Sequence, residues 1–475
     1  MTAIQRQILS ARFAALAREG AETFMRMARS PAVMEEGQHA CAILDAAGRL
    51  VAQEQGEPSQ LAAVQSTVAW LVDAFAFDVA DGDAILVGDP YCGGTSAGML
   101  TLALPVAHDG EIAFFVALRF GCPDLAGDIP GPYQPGAHEI WQEALRITPV
   151  KLVRAGAPQR DVRRYILRNT RAPDHLDADL TAAEVAARQV AVRLGAMLSA
   201  RGPDLVRGAA EHRMAHARAR LVNHLDGIAG GSGEAGVPRT DAVVRVCVGR
   251  DAGRLVVDFA GTSAASEGAA NLTSAATRAV VLAQLAAEVI EDVGMSQGIL
   301  EAIDLILPDG SCVNAAFPAA VSLGWRQVAP ALSEALARAI SREPAFAPPP
   351  PLVVLFPEIG AAPVSLPVVL SPGFLPRAEA AGGDAASGRR RLISVEQAEI
   401  GGDFSILRRE FDDGGMSAEV MVRRSGLEGI IVPGADVAPE IIQDAPLARE
   451  RSNVLALAAG ARIRFTYPER TAGRP

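Results

Sequence analysis

Residues 88–101 constrain the fold of this chain more than any other stretch, because they join an apolar run to a glycine-rich turn. Residues 84–87 (AILV) have the composition of a buried strand. They lead into the turn pair Asp89 and Pro90 and then into residues 93–95 (GGT), where two glycines let the backbone approach a ligand or a neighbouring element closely. The stretch alone indicates only a tight glycine turn between two buried strands.

The full stretch, GDPYCGGTSAGMLT, resembles the DPYxGGTHLPD signature of the hydantoinase B/oxoprolinase family. Asp89 and Thr95 match that signature, as do the proline, tyrosine and glycines between them. Ser96 and Met99 stand where the family has a histidine and an aspartate. In the family those two side chains, with a histidine further along, resemble the ligands of a divalent metal. An alcohol and a thioether cannot replace an imidazole and a carboxylate on a zinc- or manganese-type ion.

Other positions depart from the family pattern in the same way. Gln38 occupies the aspartate position of a KERxDFS pattern, and Gln60 occupies the histidine position of a PVHLG pattern. Residues 119–127 resemble RAHHADVGG, but the paired histidines are Gly121 and Cys122 here. Cys122 is the one replacement that could still bind a soft metal, although the alcohol and thioether above would be poor co-ligands. The resemblance therefore implies a retained scaffold with a lost site, and we predict no metal.

Several polar residues that match the family remain candidates for substrate binding or catalysis, although isolated polar matches are more often structural. The catalytic candidates, none of them assigned a step, are Asp89, Thr95, Arg119, Asp124 and Glu143. A guanidinium suits a carboxylate or a phosphate, and residues 258–263 (DFAGTS) resemble a family VDFTGTS segment that is followed by GxxN. The substrate-binding candidates are therefore Arg119, Asp258, Thr262 and Asn271.

The spacing of apolar residues predicts a mixed α/β (α+β) fold, and the resemblance described above implies that this fold is hydantoinase B-like. It has a hairpin-rich N-terminal part, a helical middle and a second β-rich domain. An amphipathic helix is predicted over residues 3–29, and hairpins are predicted over 41–53 and 102–118. A long helical region over 182–224 has a predicted break near Gly202.

Glycine and proline runs divide the chain into three predicted domains. The runs are a glycine-rich linker at 227–236 and a proline run at 347–351. The resemblance thins beyond the second run, where residues 358–360 and 412–415 are the nearest remnants of the family's glycine-rich motifs. The domains are residues 1–226 with the altered site loops, residues 237–344 forming a second hydantoinase B-like β-rich unit, and a divergent C-terminal region at 352–475.

Composition narrows the classes of partner. A net charge of -11 and a pI near 5.3 argue against nucleic acid, whose phosphates need a basic face. No run of about 18 apolar residues is present, so we predict no contact with a membrane. Arginines interrupt the apolar residues of the N-terminal 20 positions, which is unlike a signal peptide. Five scattered cysteines indicate reduced thiols and a cytoplasmic protein.

Three functional hypotheses follow from the resemblance. The first is a degenerate hydantoinase B-type subunit, structural or regulatory, in a hydantoinase, 5-oxoprolinase or carboxylase assembly. Its partner would be a hydantoinase A-type ATPase subunit or an intact hydantoinase B-type paralogue. The second is an active cyclic-amide hydrolase with a rearranged or metal-free site, and the third is a small cyclic-amide binding protein. No cofactor is predicted in this chain, because the resemblance implies that the partner subunit uses the ATP.

Overall fold

The computed structural model describes residues 3–34, 36–75, 78–122, 124–251 and 254–346. In the C-terminal region it describes the segments 352–357, 368–370, 404–412, 415–423, 427–432, 440–442, 449–451, 454–457 and 459–468. The proline run at 347–351 and the motif remnant at 358–360 lie outside the described residues, as does the middle of the remnant at 412–415.

Two long helices follow one another in the middle of the chain, as expected. The described helices are α1 (Ala3–Met27), α2 (Pro31–Met34), α3 (Ala63–Phe75), α4 (Ile140–Glu143), α5 (Arg160–Leu167), α6 (Pro173–Arg201), α7 (Pro203–Leu225), α8 (Ser274–Val293), α9 (Gln297–Leu300) and α10 (Gly324–Ile340). The predicted break is confirmed at Gly202, whose φ of +83° ends α6 before Pro203 begins α7. None of these helices is long and apolar enough to cross a membrane.

The N-terminal part is built on a seven-stranded antiparallel sheet in which both predicted hairpins are confirmed. Its strands are β1 (His39–Asp45), β2 (Leu50–Gln55), β3 (Ala84–Gly88), β4 (Met99–His108), β5 (Glu111–Gly121), β6 (Ile147–Arg154) and β7 (Ala157–Pro158). Their order across the sheet is β2-β1-β5-β4-β3-β6-β7. Residues 89–98, which we call the signature loop, connect β3 to its neighbour β4.

The two faces of this sheet pack into different cores, because side chains alternate along each strand. On one face, Leu118 of β5 packs with Phe24 of α1 and with residues of α6. On the other face, Ala117 packs with Val68 of α3 and with residues of α8 and α10. Arg119 follows the same alternation as Ala117 and therefore lies on this second face.

The second part of the chain contains a smaller sheet that shares a core with the first. Its strands are β8 (Gly231–Gly236), β9 (Val243–Asp251), β10 (Arg254–Asp258) and β11 (Ile303–Ile306), in the order β11-β10-β9-β8. Strands β10 and β11 are parallel, and the other pairs are antiparallel. Buried residues of this sheet, of α8 and of α10 belong to the same apolar cluster as the second face of the N-terminal sheet. One continuous core therefore joins the two parts.

The glycine-rich linker expected at 227–236 is different in the structure, because its second half forms β8 and pairs with β9. A Cβ on Gly231 would lie 2.6 Å from the carbonyl oxygen of Ala339, and a Cβ on Gly233 would collide with that of Ala335. Both carbonyls belong to α10. The glycines therefore let this strand lie directly against the helix backbone. Composition alone indicates a flexible linker here, because glycine-rich segments are common in linkers.

The described C-terminal segments form two further sheets. Their strands are β12 (Leu352–Pro357), β13 (Val368–Leu370), β14 (Phe404–Asp412), β15 (Gly415–Val422), β16 (Leu427–Val432), β17 (Glu440–Ile442), β18 (Arg449–Arg451), β19 (Val454–Leu457) and β20 (Arg462–Pro468). The orders are β13-β12-β16-β19-β18 and β14-β15-β20-β17. Asp412 and Gly415, the ends of one predicted motif remnant, face each other where β14 and β15 pair.

Lys151, the only lysine in the sequence, is buried in the N-terminal sheet. Its Nζ lies 2.9 Å from Asp83 Oδ2 and 3.1 Å from Asp78 Oδ1. Asp83 also accepts hydrogen bonds from the backbone N–H groups of Ala80 and Ala155. These contacts fasten β6 to the turn that precedes β3.

Candidate functional site

Asp89 sets the shape of the signature loop through a fully buried carboxylate. Its Oδ1 accepts a hydrogen bond from the backbone N–H of Tyr91 at 2.9 Å. Its Oδ2 accepts from Nε and Nη2 of Arg146 at 3.0 and 2.7 Å. The guanidinium of Arg146 in turn packs over the rings of Trp141 and Phe317. Because both carboxylate oxygens are engaged, Asp89 acts as a structural anchor in this arrangement.

The glycines of the signature loop allow contact with a helix. Gly93 has a φ of +81°, and a Cβ on it would collide with the backbone of Ser66 in α3. The hydroxyl of Thr67 in the same helix donates to the Gly93 carbonyl at 3.1 Å. On the far side, the hydroxyl of Thr273 donates to the Gly94 carbonyl at 2.7 Å. The loop is thus held between α3 and the N-terminus of α8.

Arg119 lies at the centre of the candidate site and is 1% exposed. Its Nε donates to Gln60 Oε1 at 3.0 Å, and its two Nη atoms donate to the hydroxyls of Thr101 and Thr95 at 3.0 and 2.9 Å. Thr101 is its direct partner across β4 and β5. All three partners are uncharged. A buried guanidinium normally has a carboxylate partner, so this shell of neutral acceptors is unusual.

Gln60 links Arg119 to the nearest acidic group. Its Nε2 donates to Glu57 Oε1 at 2.9 Å, while its Oε1 accepts from Arg119. Burial lowers the pKa of Arg119 to about 10, and the charge of Glu57 opposes that shift. The folded environment therefore disfavours the charge of Arg119 on balance, and Glu57 offsets part of that cost through the intervening amide of Gln60.

In addition to Gln60, three of the altered family positions lie on the face of the sheet that carries Arg119. Met99 and Gly121 are direct partners in the pairing of β4 with β5. The backbone N–H of Gly121 donates to the Gln38 carbonyl at 2.9 Å. A side chain on Gly121 would collide with Gln38 Oε1, so Gln38 fills the space that a histidine side chain would need. Gln38 Nε2 donates to Glu36 Oε2 at 2.6 Å.

Cys122 is directed away from this group. It belongs to the apolar cluster that contains α1 and α6, on the opposite face of the sheet. Its thiol donates to the Asp124 carbonyl at 3.0 Å, and burial raises its pKa. Ser96 lies half-buried in the signature loop, two residues after Gly94. The structure thus brings Gln38, Met99 and Gly121 together and separates Cys122 from them.

The side chains present at these positions do not fit a zinc- or manganese-type ion. They offer a thioether, an amide and a hydroxyl, together with one position that has no side chain. Zinc- and manganese-type ions are held in proteins mainly by carboxylate, imidazole or, for zinc, thiolate ligands. Among the residues that the structure describes, no three His, Cys, Asp or Glu side chains lie close enough together to hold a metal ion.

Asp124 and Glu143, the remaining acidic candidates, are engaged in structural contacts. Asp124 accepts from the Gly131 N–H at 3.1 Å, and it forms an ion pair with Arg171 at 3.0 Å. Glu143 lies 2.6 to 2.9 Å from the backbone N–H groups of Val321 and Ser322, in the turn before α10. Burial raises the pKa of Glu143 to about 7, against these N–H donors. Both carboxyl groups hold loops together across long sequence separations.

The substrate-binding candidates of the second part are also engaged. Asp258 Oδ1 accepts from the Ala260 N–H at 2.8 Å, and the Thr262 hydroxyl donates to the Arg245 carbonyl at 2.9 Å. Asn271 is fully buried, accepts from the backbone N–H of Ser266, and donates to three backbone carbonyls. The structure does not bring these residues into contact with Arg119.

Sequence reasoning missed two residues that complete the Arg119 site, Thr101 and Glu57. Thr101 carries no motif signal, and its contact with Arg119 follows only from strand register. Glu57 immediately precedes the short 3-10 turn Pro58–Gln60 that places Gln60 under the sheet. An acidic residue three positions before an amide in a turn was the only local sign of this contact.

Comparison with known proteins by sequence finds one family and several of its relatives. A family model described as hydantoinase B/oxoprolinase matches residues 2–349. The 5-oxoprolinase of Dictyostelium discoideum is 26% identical over 332 residues, covering 67% of this chain and 26% of the relative. The caprolactamase subunit beta of Pseudomonas jessenii is 30% identical over 165 residues, covering 35% of this chain and 28% of the relative.

Two solved structures share the fold. The ATP-dependent caprolactamase from Pseudomonas jessenii superposes with a TM-score of 0.80 and 19% identity, covering 98% of this chain and 90% of that one. A nucleotide-free acetone carboxylase structure superposes with a TM-score of 0.82 and 15% sequence identity, covering 98% of this chain and 75% of that one. The hydantoinase B-like architecture expected from the sequence is thereby confirmed. The chain nevertheless spans only about a quarter of the 5-oxoprolinases it matches.

Proposed function

Because this chain belongs to the hydantoinase B/oxoprolinase family, we propose that it is the hydantoinase B-type subunit of an ATP-dependent lactam hydrolase or carboxylase assembly, with a structural or regulatory role. The relatives named above include a 5-oxoprolinase and a caprolactamase subunit, and the solved structures include an ATP-dependent caprolactamase. A hydantoinase A-type subunit would use the ATP, or an intact hydantoinase B-type paralogue would carry the chemistry.

One observation carries the proposal that the chain is not itself catalytic. Gln38 occupies the space beside Gly121, and Met99 lies opposite that glycine. An isolated substitution would leave a gap or an unpaired group, whereas here the replacements pack against one another. Such mutual packing supports a site that has settled into a structural role.

The neighbouring polar groups support the same proposal. Arg119 donates to three neutral side chains, and the carboxylates of Asp89, Asp124 and Glu143 are each bound by N–H donors. A general base or nucleophile needs a lone pair that can reach a substrate. We therefore assign these residues to the support of the signature loop and of its contact with α8 and α10.

Elemental analysis tests the loss of the metal site. The protein is purified without chelators after growth with manganese, zinc and iron, and its metal content is measured by mass spectrometry. We expect less than about a tenth of an equivalent in the altered site. The matched variant carries Gln38→Ala, Ser96→His, Met99→Asp and Gly121→His, and we expect it to retain more metal. About one equivalent in the unaltered protein that is lost with Cys122→Ala or with Met99→Ala would contradict the proposal.

A second experiment tests the role in an assembly. The protein is co-expressed with the hydantoinase A-type ATPase subunit of the same source, and the pair is assayed for ATP-dependent opening of 5-oxoproline or hydantoin. We expect a stable complex that stays inactive until an intact hydantoinase B-type subunit is added. Turnover by the pair alone would favour an active hydrolase, and binding of a cyclic amide without any ATPase subunit would favour a binding protein.

We further propose that the assembly acts in the cytoplasm. All five cysteines are unpaired in the structure, and four of them are buried. A reducing compartment keeps such thiols free, whereas an oxidising one promotes disulfides. Thiol quantification in rapidly quenched cells expressing the protein measures this, with five free thiols per chain as the expected result.

A further inference from the structure

Helix α7 carries a pair of histidines that the site described above does not involve. His212 and His216 are four residues apart, so they lie one turn apart on the same side of the helix. Both are exposed. Their ring centroids are 6.5 Å apart, and the ring planes are within 24° of parallel. The two imidazoles therefore already stand side by side in solvent.

Nothing among the described residues competes for these imidazoles. The neighbouring acidic residue, Glu211, is engaged by the guanidinium of Arg49. Arg213, which lies between the histidines in sequence, is directed into the protein and donates to the backbone carbonyls of Val51 and Val293. Neither His212 nor His216 has a hydrogen bond or an ion pair within the part of the chain that the structure describes. Their nitrogens are available to a ligand.

We propose that His212 and His216 together bind one divalent transition-metal ion at the surface of α7. Two histidines at this helical spacing can direct ring nitrogens towards one ion, at metal–nitrogen distances of about 2.0–2.1 Å. The ring centroids would then be about 5 Å apart, which exposed side chains reach by small rotations about their χ angles. Water would fill the other coordination positions, because no third His, Cys, Asp or Glu among the described residues is close enough to complete a metal site.

The donor set determines which ion is preferred. Two imidazoles with open positions suit Cu²⁺, Ni²⁺ and Zn²⁺, and the general order of stability places Cu²⁺ above the other two. Calcium and magnesium prefer oxygen ligands and are excluded by this pair. The site is independent of the altered family positions, since it shares no residue with them.

The test is isothermal titration of Cu²⁺, and separately of Ni²⁺, into the full-length protein without an affinity tag at pH 7.5. We expect one ion per chain, and we expect His212→Ala or His216→Ala to weaken binding by more than about tenfold, since even outer-shell changes cost that much. The matched control is His216→Ala with Arg218→His. It keeps two histidines on α7 but moves them six residues apart, onto different sides of the helix.

Each outcome decides the proposal. Loss of binding in both single variants and in the displaced-histidine control supports it. Binding that is unchanged in the single variants, or that is kept by the control, overturns it. Circular dichroism confirms that the variants fold, and the exposure of both histidines makes a folding defect unexpected. If the proposal holds, the elemental analysis described above must be repeated in a His212→Ala, His216→Ala background, because the pair adds bound metal of its own.

Discussion

Gln38 and Gly121 are complementary: the amide oxygen of Gln38 occupies the volume in which a side chain on Gly121 would begin. Gly121 ends β5 and Gln38 immediately precedes the neighbouring strand β1, and the Gly121 N–H donates to the Gln38 carbonyl at 2.9 Å. Glycine at one position therefore permits the amide at the other. Their pairing explains how two departures from a family pattern can coexist.

Gly121→Ala should destabilise the protein because its new Cβ would collide with Gln38 Oε1. We expect a loss of about 1–3 kcal/mol in the free energy of unfolding, which is typical of overpacking. Gln38→Ala removes the obstacle, so the double variant should recover most of that loss. Urea denaturation of the four proteins of this double-mutant cycle measures the coupling.

Gly249→Ala is the control for that cycle. Gly249 also lies in a strand, β9, but a Cβ on it would contact nothing within 4 Å. We expect it to change the free energy of unfolding by less than about 0.5 kcal/mol. Equal losses for Gly121→Ala with and without Gln38→Ala would show that the two residues are not coupled.

Gln60→Leu should lower the free energy of unfolding, because Arg119 depends on neutral acceptors. The substitution leaves Arg119 Nε without its acceptor in a buried site, which costs about 1–3 kcal/mol. Exchanging the two polar side chains, with Glu57→Gln and Gln60→Glu, places a carboxylate directly beside the guanidinium. We expect that double variant to unfold at a temperature equal to or above that of the unaltered protein. A lower temperature would mean that the neutral amide is itself required at this position.

His39 should make the protein less stable in acid. Burial lowers its pKa to about 4, below the ordinary value of 6.5. The unfolded chain therefore takes up a proton between pH 6.5 and pH 4, while the folded chain does not. Stability from this group is complete above pH 6.5 and is lost as the pH falls through that window, by at most about 3 kcal/mol.

The measurement for His39 compares unfolding free energies at several pH values for the unaltered protein and for His39→Leu. The difference between the two should change most between pH 6.5 and pH 4. His175→Leu, at a partly exposed histidine of α6, is the control for the loss of a histidine side chain as such. A parallel pair of profiles for His39→Leu would rule out the buried neutral imidazole.

Glu143 should make the protein less stable as the pH rises, which is the opposite of the effect expected for His39. Burial raises its pKa from 4.5 to about 7, so the folded state takes up a proton before the unfolded state does. Its contribution to stability is present below pH 4.5 and is lost as the pH rises to about 7. Glu143→Gln keeps an acceptor for the Val321 and Ser322 N–H groups and cannot ionise. Relative to the unaltered protein, it should therefore gain stability as the pH rises from 4.5 to 7, and no such gain would indicate an ionised Glu143 throughout.

The scaffold could be predicted from sequence because its signals are local. The apolar run before Asp89 predicted β3, alternation predicted the hairpins, and a glycine followed by a proline predicted the end of α6. Strand β8 could not be predicted in this way. Its glycines are required by close packing against the backbone of α10, about 100 residues further along the chain. Amino-acid composition carries no information about that contact.

The candidate site was predictable in position and less so in role. The family pattern grouped six altered positions: Gln38, Gln60, Ser96, Met99, Gly121 and Cys122. The pairing of β4 with β5 places Met99 opposite Gly121, and Gln38 lies beside that glycine, whereas Cys122 lies on the opposite face of the sheet. The structural engagement of Glu143 and Asn271 could not be inferred, because their partners lie far away in sequence. The sequence of a motif does not show whether its polar side chain contacts a substrate or a backbone group that is distant in the chain.

The burial of Lys151 gives this protein a built-in reporter of opening. A lysine-specific protease has one cleavage site in the sequence, and that site lies within β6 against Asp83. Cleavage there requires β6 to separate from β3 and from the turn that precedes β3. The rate of this single cleavage, followed on a gel as the appearance of two fragments, therefore reports local unfolding of the sheet next to the signature loop.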